Sequence, residues 1–132
     1  PSGQNETILL VEDEAPLREA GQKILASLGY KVLTAANGRE ALAKCQAPRW
    51  SARQSGPVDL VITDLVMPVM GGKDLLRALK STRPKLPVMA ITGYALQGDD
   101  VEALRALGFE DVLFKPLEIE TWAQEIRQIL DR

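Results

Sequence analysis

The stretch Val58-Asp59-Leu60-Val61-Ile62-Thr63-Asp64 decides the fold. Its centre is a continuous apolar run rather than an in/out alternation, the pattern of a strand covered on both faces. Four more runs of this kind lie at Thr7 to Val11, Lys31 to Ala35, Pro87 to Ile91 and Asp111 to Phe114. Between them the spacing turns helical. Leu17, Ala20, Ile24 and Leu28 mark one stripe, Leu75, Leu76 and Leu79 another, and Ile119, Trp122, Ile126 and Ile129 a third. Asn37 followed by Glu40 reads as a capped helix start, Gly29 and Gly108 as helix ends, and Pro84 as a stop. Strand and helix thus alternate five times. This predicts an α/β fold with a parallel sheet, right-handed crossovers and helices on both faces.

The 132 residues suit one domain, read as 6–132 behind a disordered segment at 1–5. The start Pro1-Ser2-Gly3, without methionine, reads as a piece of a longer protein. The Ala47 to Pro57 stretch, rich in Pro, Ser, Gly and Arg, is expected to be a long mobile loop. Its Trp50, between Arg49 and Arg53, either folds back over the core edge or meets a partner. No apolar run approaches the roughly 20 residues that cross a bilayer, and no signal peptide is visible. The single cysteine, Cys45, rules out an internal disulfide and reads as a small buried hydrophobe. Together these point to the cytoplasm.

Composition excludes much chemistry. Sixteen basic and eighteen acidic residues leave a net charge of −2, with the basic residues scattered, so direct nucleic-acid binding is not expected. There is no histidine at all. Ser-His-Asp and Cys-His catalysis, histidine-ligated zinc and a phosphohistidine-carrying role are therefore out.

In an open parallel sheet, ligands bind beyond the carboxyl ends of the strands. Those ends carry Glu12, Asp13 and Glu14 after the first run, Asp64 after the third, Thr92 and Gly93 after the fourth, and Lys115 and Pro116 after the fifth. Singly, each has a structural explanation: acids at a helix start, a turn aspartate, a capping threonine, a solvated lysine. Brought to one crevice, Glu12, Asp13 and Asp64 would repel strongly and call for a cation. An all-oxygen donor set suits a hard ion, and a partial carboxylate shell suits Mg²⁺. Lys115 adds one positive charge. Such a site fits a phosphoryl group, and with histidine absent the nucleophile would be a carboxylate, with Asp64 the best candidate.

These residues resemble the receiver domains of two-component response regulators, the CheY-like superfamily. The resemblance rests on Ile8-Leu9-Leu10-Val11-Glu12-Asp13-Glu14, on Asp59 through Asp64 to Met70-Gly71-Gly72, on Ile91-Thr92-Gly93 and on Lys115-Pro116, in that order. It implies a flavodoxin-like, doubly wound sheet of order 2-1-3-4-5. It implies Asp64 as phosphoacceptor, Glu12, Asp13 and the Val66 carbonyl as further Mg²⁺ ligands, Thr92 as switch hydroxyl and Lys115 as its partner cation. A Lys115-Pro116 peptide bond of fixed geometry would aim that lysine. The family's aromatic switch position is occupied here by Val112, and Phe114 is read as turned to the opposite face. Val66 and Tyr94 stand where side chains tune phosphoryl lifetime, and neither can orient water, so slow self-dephosphorylation is expected. The resemblance implies a histidine kinase or phosphotransfer domain as donor and a partner surface on helix 4, strand 5 and helix 5, with Leu104, Val112 and Trp122. The state is expected to be a monomer or a phosphorylation-dependent dimer. The Thr92-Gly93-Tyr94-Ala95 stretch resembles receivers of hybrid histidine kinases, with a response regulator as the other parent. Two alternatives stand beside it: an unphosphorylated pseudo-receiver, which retention of every acidic, hydroxyl and lysine position disfavours, and an Mg²⁺-dependent hydrolase, which the apolar Val66 disfavours.

Overall fold

The computed structural model describes residues 6–45, 58–67, 69–93, 98–115 and 118–131. Five strands, β1 (Thr7–Val11), β2 (Lys31–Ala35), β3 (Leu60–Asp64), β4 (Val88–Thr92) and β5 (Asp111–Phe114), alternate with five helices. The helices are α1 (Ala15–Ser27), α2 (Gly38–Cys45), α3 (Gly72–Thr82), α4 (Gly98–Leu107) and α5 (Ile119–Leu130). All pairings are parallel and the sheet order is β2-β1-β3-β4-β5, as expected. No helix among the described residues is long and apolar enough to cross a membrane. The segments at 1–5 and 47–57, with Arg49, Trp50 and Arg53, lie outside the described residues.

Every residue of β1, β3 and β4 is buried, which explains their uninterrupted apolar runs. Successive side chains go to opposite faces and build two cores. Leu9, Val11, Val61, Val88, Ala90 and Val112 pack with Leu75, Leu76 and Leu79 of α3 and Leu104 of α4. Ile8, Leu10, Leu60, Ile62, Met89, Ile91 and Leu113 pack with Leu25 of α1 and with Trp122, Ile126 and Ile129 of α5. Cys45 sits in the first core, where burial pushes its thiol up to about 11.

Several expectations need correction. β3 and β4 run one residue further than the apolar pattern, because the ladder continues through Asp64 opposite Ile91 and Thr92 opposite Phe114. Asp64 and Thr92 are therefore the last residues of strands rather than the first of loops. The α1 stripe is rotated: Ala20 is exposed, and the buried face runs through Gly21 and Leu25. A side chain at Gly21 would meet Leu10 Cδ2 at 2.6 Å, so glycine lets α1 lie close on β1. Ile119 of α5 is exposed. Phe114 does not turn away from Val112, since residues two apart in a strand share a face. It emerges at the strand's open end, 46% exposed, while Val112 lies in the core.

The helix punctuation holds. Asn37 Oδ1 accepts the Glu40 N–H at 2.9 Å, and Gly29 and Gly108 follow α1 and α4 with φ of 96° and 121°. At the opposite end of the sheet from the strand termini that carry the acids, Arg127 of α5 pairs with Glu6 at 2.6 Å and with Asp131 at 2.7 Å.

Exposed Val69, between β3 and α3, adopts φ 69°. A β-branched residue in this left-handed region is strained by about 1–3 kcal/mol. Val69→Asn is expected to stabilise the fold by about 1 kcal/mol, seen as a higher urea midpoint. A lower midpoint would mean that the valine side chain makes contacts worth more than the strain.

Candidate functional site

Parallel strands that end level with one another place their last residues on a common edge. Glu12 follows β1 directly, and its N–H donates to the Ala35 carbonyl at 3.0 Å, so the chain stays in register one residue beyond the strand. Glu12 is 3% exposed, Asp64 at the end of β3 is 9% exposed, and Asp13 is half-buried. Carboxylate oxygens of the three lie within 4.8 Å of one another. Lys115, one residue past β5, reaches over the edge and donates to Asp64 Oδ2 at 3.2 Å and to Glu12 Oε1 at 3.4 Å. The backbone N–H of Lys115 donates to the Thr92 carbonyl at 2.9 Å. Thr92, buried at the end of β4 and one residue beyond the partner of Asp64, is thus tied to β5 and the lysine.

The site is short of positive charge. Burial, reinforced by the Asp64 carboxylate, pushes the Glu12 carboxyl up to about 7, against the opposing pull of Lys115. Burial alone would lower the Lys115 ammonium, but the charges of Asp64 and Glu12 outweigh it and hold it above the ordinary lysine value. Among the described residues, one ammonium pairs with two of the three clustered carboxylates, and Glu12 Oε2 is buried with no hydrogen-bond partner. These observations fit a hard cation bound through oxygen. The cluster can hold a metal ion.

Two further residues shape the site, one of them, Arg18, without having stood out in the sequence. Arg18, on the first turns of α1, donates to the Glu12 carbonyl at 2.8 Å and to the Asp13 carbonyl at 3.4 Å. It fixes the backbone that carries both acids and brings positive charge behind them. Gly72, at the start of α3, packs against the chain at Asp64: a Cβ there would meet the Asp64 carbonyl oxygen at 2.5 Å and Leu65 Cα at 3.1 Å. Any side chain would push the end of β3 out of place. The Gly71-Gly72 pair was the available signal for this close approach.

The other expected residues fall as follows. Val66 is 60% exposed, and its N–H donates to Asp64 Oδ1 at 3.4 Å. Val112 lies buried in β5, opposite Ala90, and does not reach the edge. Tyr94 and Pro116 lie outside the described residues. Leu104, Val112 and Trp122, expected on a partner surface, are 5%, 7% and 1% exposed and lie in the cores, Leu104 and Val112 in one and Trp122 in the other; among the described residues of α4, β5 and α5, the exposed large apolar ones are Leu107, Phe114 and Ile119. A groove of about 430 Å³ crosses that surface, with Phe114 on its wall.

Residues 8–127 match the family described as the response regulator receiver domain. Sensor kinase CckA of Brucella abortus is 37% identical over 128 residues, which cover 96% of this chain and 13% of the kinase. The probable transcriptional regulatory protein TcrX of Mycobacterium tuberculosis is 35% identical over 130 residues, 98% of this chain and 52% of TcrX. The chain therefore spans about half or less of these relatives. Among solved structures, the receiver domain of sensor histidine kinase PA1611 from Pseudomonas aeruginosa PAO1 superposes with a TM-score of 0.81 at 28% identity, over 98% of this chain and 100% of that one. That structure carries a magnesium ion coordinated in its active-site cleft. Fold, acidic edge and sequence agree: the chain belongs to the response regulator receiver domains of two-component systems, with the CheY-like fold.

Proposed function

We propose that Asp64 is the phosphoacceptor of this receiver and takes its phosphoryl group from a phosphohistidine on a kinase or phosphotransfer domain. The observation that carries the reading is the meeting of Glu12, Asp13 and Asp64 with Lys115 at one strand edge. As a P–O bond forms to an Asp64 oxygen, the P–N bond of the donor breaks and its electron pair returns to the donor imidazole. These 132 residues hold no histidine, so the donor imidazole lies outside them.

Glu12, Asp13, Asp64 and the Val66 carbonyl would hold Mg²⁺, which when bound neutralises charge on the transferring oxygens. Lys115 leaves its partner carboxylates for the phosphoryl oxygens, and Thr92 supplies the hydroxyl that follows them. With Val112 in the usual aromatic position, exposed Phe114, paired with Thr92 in the sheet, is an aromatic group placed to report that movement on the outer face. The domain, read as 6–132, acts in the cytoplasm as part of a hybrid histidine kinase or a response regulator, the kinds of protein represented among its relatives. It catalyses its own phosphorylation and slow dephosphorylation rather than turning over a separate substrate.

Beryllofluoride with Mg²⁺ is expected to shift the backbone amide resonances around β3, β4 and β5 in the wild type and leave Asp64→Asn unchanged. Equal responses of the two proteins would remove Asp64 from this role. The apolar Val66 leaves the attacking water unoriented, so the phosphorylated protein is expected to last minutes or longer; decay within seconds would contradict that.

The raised Glu12 carboxyl gives a pH signature. The folded protein keeps this proton to higher pH than the unfolded chain, so stability is full below the ordinary glutamate range and declines as pH rises toward 7. From about pH 4.5 to 8, metal-free protein is expected to lose on the order of 2–3 kcal/mol in urea melts. Mg²⁺ or Glu12→Gln should remove most of that slope. A flat wild-type profile would show that the acids are not in conflict.

A further inference from the structure

The segment that follows Asp64 is held at two places by glycine. At its neck the Gly72 N–H donates to the Leu65 carbonyl at 3.0 Å. At its far side the Gly38 N–H, on the first residue of α2, donates to the Met70 carbonyl at 2.9 Å. The first N–H groups of a helix have no acceptor within it. In α2 the Glu40 N–H finds Asn37 Oδ1, and the Gly38 N–H finds the segment after β3. Gly38 is buried, and a Cβ on it would meet both Met70 Cγ and the Met70 carbonyl oxygen at 2.7 Å. A methionine side chain can swing aside, but a carbonyl oxygen moves only with its backbone. Between Leu65 and Met70 lies Val69 with φ 69°, a conformation that persists where its surroundings over-determine it. Near the start of the same segment the Val66 N–H donates to Asp64 Oδ1 at 3.4 Å.

We propose that Gly38 is a positioning residue for the Asp64 site: its N–H and its missing side chain seat the Met70 carbonyl on the first turn of α2, and so fix how Val66 lies against Asp64. With Gly72 holding the neck and Gly38 the far side, the segment has two backbone anchors and keeps one course. The seat also joins α2, which follows the edge strand β2, to the residues after Asp64. A shift of those residues moves the acceptor of the Gly38 N–H, and the first turn of α2 feels it.

The proposal rests on reading the Val66 carbonyl as a Mg²⁺ ligand, and its test has an arm without metal. In unaltered, metal-free protein the Gly38 amide is expected to exchange with solvent as slowly as the amides in the middle of α2; exchange at the rate of a free chain overturns the seat. In ¹⁵N-labelled protein Gly38→Ala, although alanine is the better helix former, is expected to move the Val66 and Gly72 amide resonances with no metal present. It is also expected to weaken Mg²⁺ binding roughly tenfold, as loss of a group that orients a ligand does. Met70→Ala keeps the carbonyl and is expected to bind Mg²⁺ as the wild type does; a tenfold loss there would put the hold in the side chain and sink the proposal. Ala41→Gly removes a buried methyl from α2 and leaves the Gly38 amide in place. It is expected to lower the urea midpoint without changing Mg²⁺ affinity. If it weakens Mg²⁺ binding as much as Gly38→Ala does, Gly38 is merely structural and the proposal falls. If no wild-type resonance responds to Mg²⁺, the metal reading fails, and the metal-free spectrum of Gly38→Ala still decides the seat: an unmoved Val66 amide overturns it.

Discussion

Like charges held at close quarters organise this molecule. Charged carboxylate oxygens no more than 4.8 Å apart repel by at least roughly 3–4 kcal/mol at an effective dielectric of about 20, and three acids meet here. An isolated loop would relax by letting them swing apart. This fold denies them that freedom, because Asp64 is the final residue of a buried strand and Glu12 is bonded to β2 one step beyond its own. The repulsion is retained as tension, with Lys115 as its partial relief.

The strength of the scaffold follows from that need. β1 and β3 are central strands, each flanked by two others, and every one of their residues is buried. The approaches that matter most involve backbone. Gly72 seats the start of α3 on the carbonyl of Asp64, Gly21 lets α1 lie against Leu10, and Arg18 holds the carbonyls of Glu12 and Asp13. None of these touches a carboxylate, yet all three decide where the carboxylates point.

The sequence reveals the elements of such a fold more readily than its contacts. Five buried runs and their caps are local patterns, so the strands, their alternation with helices and the acids at their ends were legible. The ladder continuing through Asp64 and Thr92 was not, because those polar residues end the apolar pattern before the hydrogen bonding ends. The face of α1 was misread for a related reason: Gly21 is buried by what it lacks, and a hydrophobic stripe does not register it. Arg18 escaped notice since main-chain acceptors leave no mark in a sequence. The pairing of Glu12 with Lys115 across 103 positions was reached through topology, as strand ends that must converge.

The Arg127 clamp has a bearing on how the module is wired. It joins Glu6, just ahead of β1, to Asp131, just after α5, so the two ends of the described fold meet within one side chain's reach. They meet at the edge where β1 begins, five residues from the edge where it reaches the acids. Polypeptide entering and leaving there would share a single port on the far side of the sheet. A domain tied into a longer chain at that port would be held much as a bead is tied by one knot, with its acidic rim on the opposite side.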